Sequence, residues 1–234
     1  MGVEAGEFKN ADIHPEYVTT VEVAKALSAW DRNISLETHM KDLRRDAYAL
    51  SLQRNGLSTR STASKTVSNY RFGKKDSQRL DVVVSSPDPV ALPILLAEAK
   101  LGINQRSGVI KDVDRILRLL DMYHDLGLLK FGEIYGAAVF HSWLEGSADG
   151  APNQKALKLE KRVDKHLKDA MKSRPWLNAR VGYLSKSVKI QSVVGYTEFY
   201  SEEHQEEVFA KDSFAFIPGL VLLGNSSDVN TASF

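Results

Sequence analysis

The pattern of apolar and polar positions predicts four helices. Apolar side chains recur at intervals of three and four residues over 15–30, 34–53, 108–125 and 154–174. In the third stretch one face is apolar, formed by Val109, Val113, Ile116, Leu117, Leu120 and Tyr123. Its opposite face is charged and is expected to meet solvent, through Lys111, Asp112, Asp114, Arg115 and Arg118.

Shorter apolar runs predict strands between and after these helices. They lie at 67–72, 80–85, 94–100 and 134–143, and then at 179–184, 188–200 and 214–223. Residues 57–66 are rich in Ser, Thr and Arg and predict a loop, whereas 202–209 predict a short acidic helix. This order predicts an α/β protein with a mixed central β-sheet flanked by helices and with additional C-terminal strands.

The amino-acid composition limits the kinds of catalytic and metal-binding site that the chain can form. The 234 residues include no cysteine, which excludes thiol nucleophiles, disulfides and Cys-ligated zinc or iron–sulfur sites. Because the six histidines show no metal-ligand spacing, any metal is expected to be held by oxygen atoms.

Charge is unevenly distributed along the chain. The formal net charge is only +1, yet residues 41–80 carry 10 basic and 3 acidic side chains, and 154–174 carry 8 and 3. Such runs are either solvated helix faces or patches that attract a polyanion such as nucleic acid.

Membrane and secretion signals are not found in the sequence. No stretch reaches the ~18 consecutive apolar residues that a membrane-spanning helix needs. The N-terminal residues 1–7 are acidic where a secretion signal would be basic. We therefore expect a cytoplasmic protein with no membrane partner.

Three charged residues interrupt two of the predicted strands. Asp81 precedes a run of three valines, and Glu98 and Lys100 end the next strand. Charges inside apolar strands are costly unless they are paired or bind a metal. Glu98 and Lys100 share one face of their strand, and Asp81 lies opposite them if the two strands form a hairpin around 87–92. Asp88 is the competing acid, but at ~3.3 Å per residue it would lie roughly 20 Å from Glu98.

Two carboxylates and a lysine suit metal-assisted hydrolysis of a phosphodiester. Carboxylate oxygens hold Mg²⁺ while leaving room for water and substrate oxygens, and the backbone carbonyl of Ala99 is a further possible ligand. Bound metal lowers the pKa of a coordinated water, and a lysine can orient or deprotonate that water.

This arrangement, Asp81 followed by Glu98-Ala99-Lys100 on a hairpin between two helices, resembles the PD-(D/E)XK nuclease superfamily. Many restriction endonucleases and Holliday-junction resolvases belong to it. The resemblance covers roughly residues 34–143 and implies a restriction-endonuclease-like core. It also implies that Asp81 and Glu98 bind Mg²⁺, with Mn²⁺ as a substitute, and that Lys100 is catalytic.

Two further positions bear on the resemblance. Many members place a glutamate on the first core helix near the metal, and Glu37 is the candidate here. Some subfamilies carry Gln-x-x-x-Tyr on the helix that follows the site. In this chain Leu119 stands four residues before Tyr123, so the glutamine is missing.

The implied activity is that of a Mg²⁺-dependent DNA endonuclease, and basic or polar residues near the site are expected to contact DNA. These are Arg44, Arg45, Arg71, Lys74, Lys75, Arg79, Gln105 and Arg106. We expect three segments: an N-terminal helical segment (1–33), the nuclease core (34–145), and a basic helix with a strand extension on the same domain (146–234). A homodimer is left open.

Two other interpretations of the same residues remain. In one, the fold holds nucleic acid or a protein partner without catalysis. In the other, Glu98 and Lys100 form a surface ion pair at the end of a strand, and Asp81 is solvated. The two strands are uniformly apolar next to these charges, which favours internal strands and a functional site.

Overall fold

In a computed structural model of the chain, the structure describes residues 15–29, 32–73, 77–86, 92–100, 108–146, 151–183, 193–200 and 207–232. The helices are α1 (Pro15–Ser28), α2 (Met40–Asn55), α3 (Arg60–Asn69), α4 (Gly108–Asp125), α5 (Ala151–Ser173) and α6 (Asp228–Thr231). The strands are β1 (Asn33–His39), β2 (Arg79–Ser85), β3 (Pro93–Lys100), β4 (Tyr135–Gly146), β5 (Asn178–Tyr183), β6 (Val193–Tyr200) and β7 (Glu207–Gly224).

The seven strands form one mixed sheet. Its order is β1-β2-β3-β4-β7-β5, and β6 also pairs with β7. β2 is antiparallel to both of its neighbours, β1 and β3, whereas β3 and β4 are parallel and are joined by a crossover through α4. This confirms the α/β class and the mixed sheet flanked by helices.

Helices cover both faces of the sheet. On one face, α2, α4 and α5 bury a large apolar core, in which Ile116, Leu120 and Val163 are fully enclosed. On the other face, Val82 and Ala97 pack with side chains of α1. α4 approaches β4 closely at Gly136, where an added Cβ would lie 2.4 Å from Cγ2 of Ile116.

The helix predicted over 34–53 is wrong in its first turn. Residues Asn33–His39 form β1, which pairs antiparallel with β2 through Ile34–Val84 and Leu36–Val82. In this stretch the apolar residues alternate with polar ones, which is the pattern of a strand with one buried face. Its pairing with the valine-rich β2 stabilises the extended conformation over a helix.

The loop predicted over 57–66 and the strand over 67–72 are also wrong. α3 covers Arg60–Asn69 after a single 3-10 turn at Leu57–Thr59. Ala63 is buried in the core and Val67 packs against it, so a short apolar stripe offsets the low helix propensity of the serines and threonines.

The short acidic helix predicted over 202–209 is contradicted at its end, because β7 begins at Glu207 and pairs there with β6. Its remaining residues, 202–206, lie outside the described part of the chain, as do 87–91 with Asp88.

Candidate metal centre

Asp81 lies where the pairing between β2 and β3 ends. The antiparallel register closes at Val82–Ala97, so Asp81 and Glu98 are the next residues on their strands. The Asp81 carboxylate accepts a hydrogen bond from the Ala99 amide, with 2.7 Å between Oδ2 and N. Residues opposite one another on antiparallel strands project to the same face. The hairpin thus brings the two acidic residues to one face of the sheet.

Glu98 is buried, with 4% of its surface exposed. Nη1 of Arg115 on α4 donates to Oε1 of Glu98 at 2.6 Å, and Nη2 of the same guanidinium lies 3.5 Å from Oδ1 of Asp112. Burial raises the pKa of Glu98 to about 9, and the neighbouring Asp81 adds to this effect while Arg115 opposes it. A bound cation would favour the ionised carboxylate in such a place.

Lys100 ends β3 on the same face as Glu98, two residues further along. It is partly buried and lies level with Phe140 of the neighbouring parallel strand β4. The structure therefore places the three predicted catalytic residues, Asp81, Glu98 and Lys100, at the same ends of two adjacent strands, as the hairpin interpretation expects.

Glu37 is on β1 and not on the first core helix, because that segment is a strand. It lies between Leu36 and Thr38, which pair with Val82 and Leu80, so its backbone is level with Asp81. Its carboxylate is 42% exposed, and Oε2 lies 3.9 Å from Nη1 of Arg79. The backbone of Glu37 has a φ of 52°, which is a strained conformation for a residue with a side chain.

The residues predicted to contact DNA lie on several elements. Arg44 and Arg45 are on α2, Arg79 begins β2, and Arg71 is exposed in the segment after α3. Arg45 is engaged by acids of its own helix, 3.2 Å from Asp42 and 3.3 Å from Asp46. The other four, Lys74, Lys75, Gln105 and Arg106, lie outside the described residues.

Sequence reasoning missed Arg115 and Asp112. It placed both on the solvent face of α4, yet Asp112 is buried and the Arg115 side chain is only 24% exposed. No signal in the sequence identifies them, because only the packing of α4 against β3 brings Arg115 within 2.6 Å of Glu98.

The two positions on α4 that correspond to Gln-x-x-x-Tyr are core positions here. Leu119 is fully buried and Tyr123 is 2% exposed, both inside the large apolar core. The residue of α4 that reaches the site is Arg115, one turn before Leu119.

The chemistry of the side chains at this place bears on whether it could hold a metal ion. Among the described residues no three acidic or histidine side chains form a metal-holding group. Mg²⁺ is commonly held by one or two carboxylates together with water and substrate phosphate. Asp81 and Glu98 supply two carboxylates of hard oxygen atoms. Each already has a protein partner, so binding an ion would require Arg115 to share or release Glu98.

Comparison with protein-family models, curated proteins and solved structures finds no match to this chain. In the part of the chain that the structure describes, no helix has both the length and the apolar character to cross a membrane.

Proposed function

We propose that the protein is a Mg²⁺-dependent DNA endonuclease with a restriction-endonuclease-like core, a member of the PD-(D/E)XK type. The observation that supports this most directly is the position of Asp81 and Glu98. They lie on one face, at the point where β2 and β3 cease to pair, and Lys100 follows on the same face. The crossover from β3 through α4 to the parallel strand β4 agrees with such a core.

In this proposal the carboxylates of Asp81 and Glu98 bind the Mg²⁺ ion, and the carbonyl oxygen of Ala99 is a further metal ligand. The hydrogen bond from the Ala99 amide orients the Asp81 carboxylate. When bound, Mg²⁺ supplies a polarised phosphate and a water of lowered pKa. Lys100 orients this water and offsets negative charge that develops on the phosphate. A release of Arg115 from Glu98 would free a guanidinium that can pair with a phosphate oxygen.

Glu37 is proposed only as an accessory ligand from β1. Its backbone lies level with Asp81, and its carboxylate is not engaged closely by Arg79 at 3.9 Å. A strained backbone at this position agrees with a functional constraint on where the side chain projects.

Cleavage of supercoiled plasmid, linear DNA and single-stranded DNA or RNA, with Mg²⁺ or Mn²⁺, tests the proposal. We expect Lys100→Ala to lower the cleavage rate at least 100-fold, within the usual contribution of a general acid or base. Lys168→Ala is the matched control, since Lys168 is an exposed lysine of α5 that pairs with Asp164. Equal cleavage by both variants, or no cleavage by the wild type with either metal, would refute the proposal.

One observation favours a second function, a nuclease-like fold that holds nucleic acid without cutting it. The 2.6 Å bond from Arg115 already supplies Glu98 with a cation. Calorimetric titration with Mn²⁺ separates the two functions. An active site predicts binding that Asp81→Asn abolishes, whereas a non-catalytic module predicts DNA binding without any heat of metal binding.

A further inference from the structure

An open groove of about 720 Å³ lies between α2 and α3, away from Asp81 and Glu98. We call it the α2–α3 groove. The residues that line it are Tyr48, Ser58, Arg60, Ser61, Ser64, Lys65 and Ser68. Its lining combines hydroxyl groups with two cations and includes no carboxylate.

The lining follows from the register of α3. Ser61, Ser64, Lys65 and Ser68 are spaced by three and four residues, so they share one face of the helix. Ala63 lies on the other side and is buried in the core. This packing fixes the direction in which the polar face projects. The Ser68 hydroxyl donates to the Lys65 carbonyl at 2.7 Å, so on α3 the hydroxyl groups that can donate to a ligand are those of Ser61 and Ser64, beside Tyr48 and Ser58 from the other walls of the groove.

The two cations of the groove are available to an anion. Within the described residues, neither Arg60 nor Lys65 has a carboxylate within 4 Å, in contrast to Arg45, which has two such partners. Arg60 is also the first residue of α3, where the helix dipole disfavours a positive charge. An anion bound beside Arg60 would offset both effects.

α2 links the groove, through Tyr48, to the chain segment that leads into the candidate metal centre. The Met40 amide at the start of α2 donates to the carbonyl of Gln78, which precedes Asp81 by three residues, or about 10 Å of extended chain. Tyr48 is eight residues further along, which is about 12 Å at 1.5 Å per residue.

We propose that the α2–α3 groove binds the phosphodiester backbone of DNA outside the candidate metal centre. Arg60 and Lys65 pair with the phosphates, and Ser61 and Ser64 donate hydrogen bonds to their oxygens. Such contacts position a strand without reading its sequence. The inference rests on the proposed function only in taking DNA as the polymer, and it assigns binding to residues outside the metal centre.

The test measures DNA binding without cleavage. A fluorescein-labelled 20-base-pair duplex is titrated in EDTA with the wild type, Arg60→Gln/Lys65→Gln and Lys168→Gln/Lys172→Gln. The last pair removes two exposed positive charges from α5 and is the matched control. We expect the groove variant to bind at least 10-fold more weakly. The slope of log affinity against log salt should become shallower by about 1.8, from two lost phosphate contacts.

The control should bind within 3-fold of the wild type, and thermal unfolding should show that both variants remain folded. Equal weakening by the two variants, an unchanged salt slope in the groove variant, or no duplex binding by the wild type would overturn the proposal. Competition by millimolar inorganic phosphate as strong as that by the duplex would also overturn it, because the groove would then hold a single anion and not a backbone. Because the assay contains no metal, its result is independent of whether the protein cleaves DNA.

Discussion

The burial of Glu98 predicts an unusual dependence of stability on pH. In the folded chain this carboxyl has a pKa raised to about 9, chiefly by burial. The charges that face it are Arg115 and Asp112 from α4 and Asp81 from β2. In the unfolded chain the pKa of the same group returns to about 4.5. Between these values the folded state retains a proton that the unfolded state has lost.

The sign follows from this difference in bound protons. The stabilisation due to Glu98 is fully present below about pH 4.5 and is lost as the pH rises towards 9. One retained proton corresponds to a slope of about 1.4 kcal/mol of unfolding free energy per pH unit. Between pH 6 and pH 8 the unfolding free energy should therefore fall by at most about 3 kcal/mol through Glu98.

Urea unfolding of the wild type and of Glu98→Gln, followed by circular dichroism at pH 6, 7, 8 and 9 in EDTA, measures this loss. Glutamine keeps the shape and a hydrogen-bond acceptor for Arg115 but does not titrate. We expect the difference in unfolding free energy between the two proteins to change by about 1.4 kcal/mol per pH unit. The other ionisable groups are the same in both proteins, so their effects cancel in the difference. Parallel curves would refute the reasoning, because they would mean that Arg115 keeps Glu98 ionised in the folded state.

Three further predictions concern packing and polar contacts. Asn225 donates to the carbonyls of Leu129 and Gly132 and accepts from the Ile134 amide. Asn225→Ala should therefore lower the unfolding free energy, measured in urea, by about 2–4 kcal/mol. A loss below about 1 kcal/mol would contradict this. Gly136→Ala should lower the unfolding free energy by about 1–3 kcal/mol, because the new methyl group clashes with the side chain of Ile116 on α4. The thermal midpoint should fall accordingly. Arg174 donates two hydrogen bonds, of 2.7 and 2.8 Å, to Asp121, so Arg174→Gln should lower the unfolding free energy by about 1–3 kcal/mol. An unchanged thermal midpoint would mean that the pair is solvated and adds no stability.

The central part of the fold could be predicted from the sequence because local pattern and tertiary structure agree there. β2 and β3 each contain an uninterrupted apolar run, Val82–Val84 and Ile94–Ala97, and are bounded by turn residues, and α4 has a continuous apolar face. The same strands carry Asp81 and Glu98, so their opposition follows once a hairpin is assumed. A site formed by neighbouring strands depends on register, which the apolar pattern constrains.

The errors arise where tertiary contacts outweigh local preference. β1 is a short strand at the edge of the sheet, and only its pairing with β2 distinguishes it from the start of α2. α3 has few apolar residues, and its helical state depends on the burial of Ala63. Arg115 belongs to the site because α4 packs against β3 and brings its guanidinium to Glu98, a tertiary contact that no local pattern encodes.

The position of β7 has a consequence for how the protein is made. β4 pairs along its whole length, Tyr135–Gly146, with a strand that ends more than 70 residues later, at Gly224. During translation the hairpin and α4 leave the ribosome well before this partner exists. Until then, the far edge of β4 presents unpaired amides and carbonyls. The nascent chain therefore depends on β7 to cover this edge of β4, and premature termination after α5 would yield a chain whose exposed strand edge can pair with other chains.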